Sequence, residues 1–167
     1  MAPAEGGGPG VRVEDRALEG AWPGGAEALP GRCAGAVAAL GLPESLSGEV
    51  SVLFTTDEAV RVLNRDWRGR DQATNVLSFP ADEVPGLPAA HQPLGDLALA
   101  WETCRTEAAA RGVPVLDHAT HLLLHGLLHL LGYDHRHGAE ARVMEGLEAQ
   151  AMHALGLHAP YTEEPAD

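Results

Sequence analysis

The spacing of apolar and polar positions changes period repeatedly along the chain, and each change marks an element. Val11 to Glu14 alternates as a short strand does, whereas the alanine-rich stretch from Pro23 to Leu40 stops at Gly41 and predicts a helix. Gly48 to Thr55 (GEVSVLFT) is rich in β-formers. Thr56 then caps a helix opened by Asp57 and Glu58, with Val60, Leu63 and Trp67 along one side. Asn75 to Phe79 is a strand closed by Pro80, and Leu94 to Ala100 is another, with Asp96 facing opposite to Leu97 and Leu99. Between them Ala81 to Pro93 holds three prolines and predicts an exposed loop. Glu102 to Arg111 is a helix stopped by Gly112 and Pro114. A leucine-dense helix follows from Val115 to Leu131 and ends at Gly132, and Glu140 to Leu155 is the last helix.

The order β, α, β, α, β, β, α, α, α predicts an α+β fold: a small mixed sheet of about four strands with helices packed on it. The expected organisation is a single domain over residues 11–161, with a disordered tail at 1–10 and a second tail at 162–167.

Composition narrows this picture. A chain of 167 residues can bury a core without disulfides or a structural metal, so a metal here would serve chemistry. With aromatics at only 4%, that core must be mostly Leu, Val and Ala. The first ten residues contain no Lys or Arg and no apolar run, so they fail the tests for a secretory signal, and no apolar stretch reaches membrane-spanning length. A cytoplasmic protein is expected, with Cys33 and Cys104 as buried free thiols. The net charge of −13 argues against nonspecific nucleic-acid binding. However, Arg61, Arg65, Arg68 and Arg70 fall within ten positions, which leaves room for a local basic patch.

The chemistry concentrates in HLLLHGLLHLLGYDH, residues 121–135. Helical positions four apart lie about 40° apart around the axis and about 6 Å along it, so His125 and His129 can present nitrogens to one point. Gly132 can turn the chain back, and His135 can then close a third corner. Three neutral histidines with an open fourth position are the arrangement of catalytic zinc, one ion per chain, whose bound water has a pKa lowered to about 7. Hydrolysis is the reaction class this implies. His118 and His121 are expected to be core or boundary residues, and Met144 a core residue. The histidine offsets also match the metzincin protease pattern, but Gly126 stands where that pattern requires its glutamate base.

HGLLHLLGYDH at 125–135 resembles the signature HGxLHLxGYDH of the YbeY endoribonucleases. LNRDWRGRDQATNVLSFP at 63–80 and LGDLAL at 94–99 are similar to two further blocks of that family, and Met144, Glu148 and Pro160–Tyr161 also match it. The resemblance implies that His125, His129 and His135 bind zinc and that Arg68 is the functional arginine of the cleft. The implied activity is cleavage of single-stranded RNA, in maturing the 3′ end of 16S rRNA and in 70S ribosome quality control. Small-subunit ribosomal components are the implied partners; neither DNA nor membrane is expected. Trp67 stands in place of the family's usual Tyr, a conservative change for packing.

An arginine fork matches two phosphate oxygens, so Arg68 would stabilise developing charge, with Arg65 and Arg70 as weaker candidates for phosphate contacts. No residue of the motif is an evident general base. Asp134 would orient a ligand or cap the turn, Asp96 is either a polar edge position or an orienting group, and Thr74 and Asn75 are turn residues. His137 is a minor alternative ligand. Two rival functions stay open: an assembly factor whose metal is mainly structural, and a metalloprotease.

Overall fold

The computed structural model describes residues 11–43, 47–134 and 138–160. The two tails, and the short segment carrying His135 and His137, lie outside the described residues.

One sheet of four strands organises the molecule: β1 (Val11–Leu18), β2 (Gly48–Thr55), β3 (Val76–Pro80) and β4 (Pro93–Ala100), in the order β1-β2-β4-β3. β1, β2 and β4 run parallel, and β3 joins the edge antiparallel to β4. The helices are α1 (Leu29–Ala38), α2 (Asp57–Arg68), α3 (Trp101–Arg111), α4 (Val115–Leu130) and α5 (Gly138–Ala154). The architecture is α+β, as the alternation of patterns predicts.

The main departure from the expected elements is the first helix, which begins at Leu29 rather than Pro23. Trp22 explains the delay. Its indole Nε1–H donates to the Thr55 carbonyl at 2.8 Å, and its ring packs edge-on against Phe54 and Trp101, so the chain is pinned to the sheet before it can start a helix. β1 is also longer than its alternation suggests, because it pairs with β2 along its whole length.

The sheet is covered unequally. On one face Val50, Val52, Phe54, Leu97 and Leu99 pack against α1, α4 and α5, forming the main core. On the other, Leu77, Ala98 and Ala100 meet only Val60 and Leu63 of α2. Among the described residues, no helix is long and apolar enough to cross a membrane.

Candidate functional site

α4 is the buried centre of the larger layer. Its leucines at 122, 123, 124, 127 and 128 are almost wholly buried, each worth about 1.5–3 kcal/mol of transfer free energy. The helix presses so closely on β4 that a Cβ added at Gly126 would stand 2.7 Å from Leu97 Cδ2. Any side chain at this position would have to displace the buried tip of Leu97. A glutamate here, as in the protease pattern, would meet the same buried leucine.

The end of α4 is shaped by Gly132 at φ +105. The Gly132 N–H donates to the His129 carbonyl and the Tyr133 N–H to the Leu128 carbonyl, at 2.9 and 3.0 Å, so the last turn is closed by a left-handed glycine cap. His125 and His129 are brought together one turn apart, with ring centroids 4.9 Å apart and planes at 83°. Both are half-buried, while His118 and His121 are buried.

What orients His125 comes from α5. Met144, Glu148, Ala151 and Met152 form its buried stripe, and Glu148 is the one charged member, fully enclosed. Glu148 Oε2 lies 2.7 Å from His125 Nδ1, and Oε1 lies 2.7 Å from His121 Nε2. A carboxylate only accepts, so both imidazoles donate to it. His125 is then the Nδ1–H tautomer, and its Nε2 is the nitrogen left with a lone pair for a metal. Of everything at the site, this carboxylate is what reading the sequence missed beyond a family likeness. The available signal was a glutamate at a core position, four residues after Met144 and three before Ala151.

A second polar chain lies further back along α4. His118 Nε2 donates to Glu107 Oε1 at 2.7 Å, and Asn75 Nδ2 donates to the same carboxylate. Asn75 also accepts from the Val76 N–H, so it fixes the start of β3 to α3, the structural role expected of it. Burial holds the His118 pKa below its ordinary value, against the opposing pull of Glu107. Cys33 and Cys104 are free, buried thiols whose pKa values burial pushes up to about 12, so neither is a ready metal ligand.

Arg68 sits elsewhere. It ends α2, donates to the Ser78 carbonyl on β3 and lies over the Phe79 ring, 5.4 Å from its centroid. It lines a pocket of about 650 Å³ together with Ser51, Trp67, Phe79 and Asp96; His125 and His129 are not among the lining residues. The link between the two sites is β3, which carries Arg68's partners and against which α4 packs. The other arginines are partly neutralised: Arg61 pairs with Glu58 and Asp71, and Arg65 with Asp66, while Arg70 is exposed. Trp67 is not a packing residue as expected; it is 73% exposed, because the apolar side of α2 runs past the part of the sheet it covers. Asp134 is half-buried just beyond the Gly132 turn.

A mixed sheet, a buried helix that presents His125 and His129 side by side with His125 held by a buried carboxylate, and a separate arginine-walled pocket define the class of α+β protein; among the described residues no third His, Cys, Asp or Glu joins the two imidazoles in a metal-binding group. Comparison gives the family. The chain belongs to the YbeY family, described as "Endoribonuclease YbeY", whose profile matches residues 33–156. The protein called Endoribonuclease YbeY in Paramagnetospirillum magneticum is 48% identical over 83% of this chain and 87% of its own. That of Erythrobacter litoralis is 54% identical over 68% and 74%. The fold is shared with the solution structure of TM1509 from Thermotoga maritima, at a TM-score of 0.54 and 19% identity over 94% of this chain and 97% of that one.

Proposed function

We propose that this chain is a zinc-dependent endoribonuclease that cuts single-stranded RNA, with His125, His129 and His135 holding one ion and Arg68 engaging the phosphate. The observation that carries the reading is the Glu148–His125 hydrogen bond, which leaves Nε2 of His125 as a donor one helical turn from His129. Two imidazole nitrogen donors, one of them backed by a buried carboxylate, suit zinc. His135 belongs to the set by its place in the motif and lies outside the described residues.

When bound, zinc supplies Lewis acidity toward phosphoryl oxygens and acidifies water. The chain's own residues do the rest. Glu148 holds the His125 tautomer; fully buried and engaged by two imidazoles, it is not the general base. Arg68 spends one guanidinium N–H on Ser78, leaving further donors for phosphate oxygens, and its guanidinium carbon lies over the Phe79 ring. The names carried by the relatives, endoribonuclease, support RNA as substrate. In the cell the substrate we propose is small-subunit rRNA, at its 3′ end and during 70S quality control, in the cytoplasm and alongside small-subunit components.

The purified protein should cut a single-stranded RNA oligonucleotide, leave duplex RNA, single-stranded DNA and a peptide substrate intact, lose activity to a chelator and regain it with zinc. Cleavage that survives complete metal removal would overturn the zinc requirement. Rescue of rRNA processing by a folded, zinc-free variant would favour an assembly role over catalysis.

A further inference from the structure

The register of the sheet places Ser51, Asp96 and Phe79 in one row across β2, β4 and β3. The next row, Leu53, Ala98 and Leu77, is the one α2 covers with Val60 and Leu63. Because α2 ends at Arg68, the Ser51–Asp96–Phe79 row is left as the floor of the 650 Å³ pocket, walled by Leu63, Trp67 and Arg68. That volume is in the range of small-ligand sites. Trp22 and Trp101 pack edge-on against each other at the main core, so Trp67 alone of the three tryptophans stands open at such a pocket.

Asp96 is what makes the pocket selective. It is exposed within it, and among the described residues its carboxylate makes no hydrogen bond or ion pair. An unpaired carboxylate repels phosphate, so on RNA its complement is a donor, and beside flat stacking surfaces that donor is the N–H edge of a base. The flat surfaces beside it, Trp67 and the Arg68 guanidinium laid over Phe79, are of the kind on which unpaired bases stack.

Resting on the single-stranded RNA reading above, we propose that this pocket is a nucleobase subsite that selects guanine. Guanine alone presents two adjacent donors on its pairing edge, N1–H and the N2 amino group, matching the two oxygens of Asp96. Adenine and cytosine place an acceptor nitrogen beside their amino group, which repels the second oxygen, and uracil offers one N–H between two carbonyls. Arg68 then holds the adjoining phosphate.

The full chain is titrated with 5′-GMP, 5′-AMP, 5′-CMP and 5′-UMP, following tryptophan fluorescence for Trp67 and calorimetry for affinity. GMP is expected to bind with saturable quenching, roughly tenfold or more tighter than the others. Asp96→Asn should bring GMP down to their level without moving the unfolding temperature or zinc content. Equal affinity for all four nucleotides, no binding of any, or a guanine preference that survives Asp96→Asn overturns the subsite. Guanine binding without cleavage of any RNA keeps the subsite and overturns the nuclease reading; cleavage without guanine preference does the reverse.

Discussion

The two faces of the sheet solve opposite problems. On the α4 face the functional groups are set in a finished interior: Glu148 is fully enclosed, its two histidines are fixed at 2.7 Å, and Gly126 lets the helix sit against Leu97 with no room to spare. On the α2 face the sheet is half covered, Trp67 and Arg68 are exposed, and Asp96 has a pocket but no partner among the described residues. A metal centre needs donors held within fractions of an ångström, and buried hydrogen bonds supply that rigidity. A flexible strand of RNA needs open surface, charge and flat rings. In the function proposed above the same four strands would serve both, because successive residues point to opposite faces.

The contrast can be broken most severely at Gly126. Gly126→Glu, which would restore the protease pattern, forces a carboxylate against buried Leu97 and should cost on the order of 4 kcal/mol or more, seen as loss of the cooperative unfolding transition. A folded Gly126→Glu protein would show that the close approach of α4 to β4 is not needed. Glu148→Ala comes next. It strips the acceptor from two imidazoles and should destabilise the fold by about 3 kcal/mol and weaken zinc binding about 10- to 100-fold in chelator competition. Unchanged zinc affinity would make the network incidental to the metal.

The α2 face should answer differently. Arg68→Ala should change stability by less than about 1 kcal/mol and leave zinc affinity intact. It should also lower the salt dependence of single-stranded RNA binding by about 0.7 in the slope of log affinity against log salt. The smallest expected effect is the pH response of His118. Burial lowers its folded-state pKa below the ordinary 6.5, so the neutral ring is the native form. Above that value His118 costs nothing; as pH falls through it toward the lowered folded pKa, stability is lost. Urea midpoints between pH 7.5 and about 5 should fall, and His118→Gln should flatten part of that fall.

The two faces also differ in how far the sequence reveals them. The histidine helix was legible because its period, its Gly132 stop and its leucines all agree, and the structure places His125 and His129 together as that spacing requires. Strand order and the late start of α1 were not, since these depend on distant partners such as Trp22 with Thr55. Glu148 was visible only as a family likeness, because a glutamate on a helix is normally solvated and nothing local announces that two imidazoles lie across from it. Trp67 looked like core because its spacing continues the apolar side of α2; where the sheet ends under that helix is a property of the fold. Asp96 was left ambiguous for the same reason, and its register against Phe79 and Ser51 is what gives it a setting.

The central claim is that cleavage needs both a zinc ion held by the α4 histidines and Arg68 at the end of α2, and that each can be removed without the other. Zinc content by elemental analysis, measured beside cleavage of one single-stranded RNA, tests it in His129→Ala and Arg68→Ala. The expected result is loss of both zinc and cleavage in His129→Ala, and a full complement of zinc with cleavage lost in Arg68→Ala. Normal cleavage by Arg68→Ala, or cleavage retained by a zinc-free His129→Ala protein, would contradict it.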